Sequence, residues 1–99
     1  MELNFFKDNN TLTVNIKGRI DMMTAPEFGV RVNEELTPGI VNIVLNFADV
    51  EYLSSLGLRM LLELQKKVSE KGSLKVLNVN DSIMEIFEVT GFANILDIE

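Results

Sequence analysis

The chain has 99 residues, enough for one hydrophobic core, and its 46% hydrophobic and 24% charged residues are those of a globular domain. A net charge of -6 argues against direct binding to DNA or RNA, and no apolar run is long enough to span a bilayer. With no cysteine and no histidine, disulfides, Ser-His-Asp and Cys-His arrangements and the commonest metal ligand are all excluded.

Asp8, Asp21, Asp49, Asp81 and Asp97 are scattered rather than spaced as ligands, so neither a metal nor a cofactor is expected. Met1–Asn4 lacks the basic-then-apolar pattern of a secretory leader, and a cytoplasmic location is expected.

In chain order, Leu3 to Lys7 is a short apolar run, followed by the turn residues Asp8-Asn9-Asn10. Leu12, Val14 and Ile16 then alternate with polar residues, which predicts a hairpin whose second strand ends at Gly18. A loop from Gly18 to Thr24 carries the conspicuous charge Asp21. Thr24 begins a helix: Pro26 suits its first turn, Glu27 sits at capping-box spacing, and Phe28, Val32 and Leu36 form its buried stripe. Thr37-Pro38-Gly39 ends it.

Ile40 to Phe47 is apolar at successive as well as alternate positions, which predicts a central strand buried on both faces. Ala48 to Tyr52 reads as a linker. The next helix is expected from about Ser55 to Glu70, with Leu58, Leu61, Leu64 and Val68 on one face. Lys66, Lys67 and Lys71 match its negative end, and Gly72 stops it. Leu74 to Val79 is a strand. Asn80-Asp81-Ser82 caps a third helix, with Glu85 three residues after Ser82, and Gly91 closes that helix. Ile95, Leu96 and Ile98 suggest a short edge strand. The order β-β-α-β-α-β-α-β predicts a single α/β domain over 1–99. Its sheet should be mixed, with four to five strands, an N-terminal hairpin, and three helices mostly on one face.

Ser54 and Ser55 sit where a strand hands over to a helix, beside free N–H groups and the positive end of a helix dipole. Two readings of Ser55 are open. It caps the helix, or it accepts a phosphate, which would add roughly -1.5 to -2 charge and pair with Arg59 one turn onward. A partner packed on Leu53, Leu56 and the serines would then bury an unpaired charge. Asp21 is either a solvated loop charge or a partner contact, and Met22, Met23 and Leu56 are either half-buried core or an exposed apolar rim.

The segment Val44-Leu45-Asn46-Phe47-Ala48-Asp49-Val50-Glu51-Tyr52-Leu53-Ser54-Ser55-Leu56-Gly57-Leu58 resembles the signature of the STAS domain, a family that includes sulfate transporters and bacterial anti-sigma-factor antagonists. Gly18-Arg19-Ile20-Asp21 with Thr24-Ala25, and Ile83 through Phe87 to Thr90-Gly91-Phe92, resemble two further motifs of that family. The resemblance implies phosphorylation at Ser55, two residues before Gly57. Ser54 is the second candidate acceptor, standing where many kinase-regulated members have aspartate, and Leu56 replaces a usually small residue. It also implies a partner-binding surface of Asp21, Met22, Met23, Thr24, Leu53, Ser54, Leu56, Gly57 and Arg59.

The implied protein is no enzyme. Unphosphorylated, it would bind an anti-sigma factor with serine-kinase activity and release a sigma factor; a phosphatase would reverse the modification. A STAS regulatory subunit of a phospholipid-type membrane transporter is the alternative, and a small serine hydrolase is a further one, for which no histidine or cysteine base is at hand.

Overall fold

The computed structural model describes residues Met1–Glu99. The chain forms β1 (Glu2–Asp8), β2 (Thr11–Ile20), α1 (Ala25–Glu35), β3 (Asn42–Leu53), α2 (Ser55–Val68), β4 (Leu74–Leu77), α3 (Asp81–Thr90) and β5 (Asp97–Ile98), with one 3₁₀ turn at Phe92–Asn94. The sheet order is β1-β2-β3-β4-β5. β1 runs antiparallel to β2, and the remaining neighbours are parallel. Three successive right-handed crossovers stepping the same way across the sheet bring α1, α2 and α3 to one side. The mixed sheet with its N-terminal hairpin is the architecture the sequence predicts.

The core lies between that side of the sheet and the helices. Leu12, Val14 and Ile16 of β2 meet Ile43, Leu45 and Phe47 of β3, and Phe28, Val32, Leu61, Leu64, Ile83 and Phe87 close over them in one contiguous cluster. Phe47 and Phe87 stack tilted with centroids 6.4 Å apart.

The other side of the sheet is uncovered, which corrects the expectation that β3 is buried on both faces. Asn42, Val44 and Asn46 point there and are only half-buried. Side-chain amides run across that face: Asn46 donates to Asn15 Oδ1 and accepts from Asn78 Nδ2, each at 3.0 Å.

The expected linker Ala48 to Tyr52 is strand. Between Asn15↔Asn46 and Ile20↔Leu53, β2 advances five residues while β3 advances seven, so β3 carries two irregularities. Its core-facing residues accordingly go from every second position to Phe47, Val50 and Leu53. That broken alternation is what reads as a loop in sequence. The first irregularity is pinned by Asn46, whose Oδ1 also accepts from Ala48 N–H at 3.0 Å.

Smaller differences are local. β2 runs on through Gly18 to Ile20, β3 begins at Asn42 rather than Ile40, and β4 stops at Leu77 because Asn78 turns left-handed with φ 60°. α2 ends at Val68, and β5 is only Asp97–Ile98. Leu36, expected in the buried stripe, is the half-buried cap of α1. At α3 the cap is Asn80, whose Oδ1 accepts from Ile83 N–H at 2.9 Å, and not the Ser82–Glu85 pair. No helix is long and apolar enough to cross a membrane.

Candidate functional site

In a sheet whose strands run parallel, the loops leaving their C-terminal ends gather at one edge. Here these are the 21–24 turn after β2 and the β3–α2 junction. They are tied directly: Ser54 N–H donates to Ile20 O at 2.8 Å. Gly57, in the first turn of α2, lies against the same place. A methyl group on it would come 2.6 Å from Leu53 Cδ1, 2.9 Å from Ile20 Cγ2 and 3.3 Å from Ile20 O, so only glycine lets the helix start this close to β2.

The two serines divide the roles that the sequence leaves open. Ser54, extended at φ -84° and ψ 170°, is the N-cap of α2, and its Oγ accepts from Gly57 N–H at 3.1 Å. It is 7% exposed. Ser55 is the first helical residue; it is exposed, and its hydroxyl has no hydrogen-bond partner within the chain. The N–H groups of Ser55 and Leu56 have no intrahelical acceptor, so the positive end of α2 faces solvent beside a free hydroxyl. Arg59, four residues on, is exposed and belongs to none of the three ion pairs. The cap is therefore Ser54, not Ser55, and Ser54 as second acceptor is placed where its hydroxyl is buried and engaged.

Asp21 is held as an anchor of its turn. Its Oδ1 accepts from Met23 N–H at 2.9 Å and Thr24 N–H at 3.0 Å, and at 3.2 Å shares the single Thr24 hydroxyl proton with Arg19 O. The backbone bond from Thr24 leads in holding the carboxyl below its ordinary value; desolvation, next in size, opposes it, and the Met23 backbone bond, the Thr24 hydroxyl and the Arg19 charge tip the balance downward. The other oxygen, Oδ2, lies 3.8 Å from Arg19 Nε. Thr24 Oγ1 donates to Arg19 O at 2.7 Å and accepts from Asp21 N–H at 2.9 Å. These bonds replace the expected capping box: Thr24 precedes α1 with helical dihedrals and its side chain makes no cap bond.

Met22 and Met23 stand out at 73% and 86% exposure, so they form a rim and not core. Leu56, in the first turn of α2, is half-buried against the core. Leu53, expected on the docking surface, is a core residue, and Gly57 is likewise buried; both shape the site from beneath. Two residues were missed. Arg19 lies with its guanidinium carbon 4.4 Å from the centroid of the Tyr52 ring. Only the pairing Arg19↔Tyr52, produced by the irregular β3, brings them together. Neither serine hydroxyl is bonded to a carboxylate or a lysine, so no base is in place to activate one.

Residues 3–99 match the STAS domain model. The chain belongs to the STAS domain family. Among STAS proteins it is 32% identical over 96 residues to the anti-sigma-B factor antagonist of Bacillus subtilis, covering 93% of this chain and 84% of that one. The fold is shared with an anti-sigma factor antagonist from Mycobacterium paratuberculosis, at a TM-score of 0.88 and 21% identity over 98% of this chain and 83% of the other. It is shared also with the Bacillus cell fate determinant SpoIIAA in its phosphorylated form, at a TM-score of 0.75 and 14% identity over 99% and 91%.

Proposed function

We propose that this STAS protein is an anti-sigma-factor antagonist switched by phosphorylation of Ser55. One observation carries the reading: at the mouth of α2 the cap is supplied by Ser54, which leaves the Ser55 hydroxyl exposed and unpartnered. The name of the Bacillus subtilis relative supplies the partner class. Unmodified, the rim of Met22, Met23 and Leu56 around the serine docks on an anti-sigma factor, which then lets go of its sigma factor. The protein acts as a binding module and kinase substrate, not a catalyst.

The switch follows from charge. The anti-sigma factor's serine-kinase activity moves the γ-phosphoryl of ATP to Ser55 Oγ; the hydroxyl proton is lost and ADP leaves. The phosphate gains the free N–H groups of the first turn and the unpaired Arg59, so the fold accepts it. A docked partner would have to bury about two negative charges, which ends the complex. A phosphatase restores the hydroxyl. The transporter-subunit and hydrolase readings draw no support from the relatives described above.

The test is incubation with the serine-kinase anti-sigma factor of the same organism and Mg-ATP, followed by intact-mass and peptide mass spectrometry. One phosphate on wild type and on Ser54→Ala, and none on Ser55→Ala, is expected. Ser55→Ala gaining phosphate at the wild-type rate overturns the site.

A further inference from the structure

A groove runs between α1 and α2, the helices that begin beside the 21–24 turn and at Ser55. On α1, Pro26, Val30 and Glu34 recur every four residues along one stripe and line it; on α2, Met60 and Glu63 line the facing wall, beginning one turn below Leu56. The groove is open and encloses about 600 Å³. Gly29 sets its depth, because a methyl group there would come 2.8 Å from Met60 Sδ. A glycine inside a helix is less favourable than alanine, and here it is what lets the Met60 thioether lie close against α1.

Two features show what this groove suits. Val30 is 61% exposed on the α1 wall, across from the adaptable Met60 side chain, so the stretch of groove before Glu34 and Glu63 is apolar. The far end carries Glu34 and Glu63, and neither takes part in any of the three ion pairs. Lys67, one turn beyond Glu63 on α2, donates to Asn33 Oδ1 at the far end and forms no ion pair with either carboxylate.

We infer that the α1–α2 groove is a second contact of the docking surface and receives a segment of the anti-sigma factor bearing an apolar side chain flanked by lysine or arginine. The inference rests on the antagonist reading above and adds to it a place and a chemistry. The apolar side chain packs on Val30 and Met60, and the basic residue meets Glu34 and Glu63. The acidic rim then selects the orientation and speeds encounter, while the apolar end supplies most of the affinity.

The test is the affinity of the purified serine-kinase anti-sigma factor of the same organism for wild type, Val30→Arg, the double reversal Glu34→Lys/Glu63→Lys, and the control Val89→Arg. All the altered side chains are at the surface or the groove rim, and Val89, 77% exposed on α3, lies outside the groove. Val30→Arg is expected to raise Kd by at least about tenfold, which corresponds to about 1.4 kcal/mol. The double reversal should weaken binding and flatten its salt dependence. Val89→Arg should bind as wild type. If Val30→Arg and the double reversal bind within about twofold of wild type, the groove is not a contact, and the antagonist reading stands. If the kinase does not bind wild type at all, the antagonist reading falls and this inference with it.

Discussion

Replacing each serine in turn by alanine separates the cap from the switch without any partner protein. Ser54→Ala deletes the 3.1 Å bond from Gly57 N–H to Ser54 Oγ and leaves that N–H facing a buried junction with no acceptor. Loss of an N-cap serine costs about 1 kcal/mol, within a range of roughly 0.5–2 kcal/mol. For a domain of this size that lowers Tm by about 4–8 °C per kcal/mol. In urea, with a slope of roughly 1–3 kcal/mol/M, the midpoint moves down by several tenths of a molar. Ser55→Ala removes no hydrogen bond and replaces serine by a better helix former, so it stays within about 0.5 kcal/mol of wild type, on either side. Urea titrations followed by circular dichroism measure both. Equal losses, or the larger loss at Ser55, would refute the assignment of the cap to Ser54 and remove the reason for calling the Ser55 hydroxyl free.

Two further outcomes test the scaffold. Gly72→Ala places a methyl group on the backbone carbonyl of Val41 and 2.7 Å from Asn42 Oδ1, the atom that accepts Ser73 N–H at 3.0 Å. Backbone cannot swing away as a side chain can, and a loss of about 3 kcal/mol is expected in the same titrations. Asp21→Asn tests the depressed carboxyl. Its folded pKa lies below the ordinary 3.8, so its contribution to stability is complete above that value and is lost as pH falls through the lower, folded-state value. Wild type should therefore lose more urea resistance than Asp21→Asn on going from pH 5 to pH 3, and parallel losses in the two proteins would refute it.

The strand and helix order is legible because most elements keep one period throughout: Leu12, Val14 and Ile16 alternate, and Leu58, Leu61, Leu64 and Val68 step by helical turns. Legibility fails where a period breaks. Beyond Phe47 the core positions fall at every third residue, and Asp49 and Glu51 between them look like a loop. The same break hides Arg19 against Tyr52, since that pairing depends on a register no local pattern encodes. Val44 suggests a second buried face, yet all the helices lie on the other side and its neighbours Asn42 and Asn46 pair with other side chains instead.

At the site, sequence places both serines at the strand–helix boundary but cannot tell which one caps. A shift of one residue exchanges a buried, engaged hydroxyl for a free one. Thr24, Pro26 and Glu27 have the letters of a capping box, but Arg19 O and Asp21 claim the threonine hydroxyl first. Met22 and Met23 carry no sequence signal for core or rim, because methionine serves in both.

Ile20 meets Ser54 through its carbonyl and Gly57 through its side chain, with Leu53 wedged alongside. The methionine-bearing turn and the serine-bearing helix start are thus parts of one stiff body, without a hinge between them. A group attached at this edge would meet an incoming protein with its own bulk and charge at the place where the two loops are already joined.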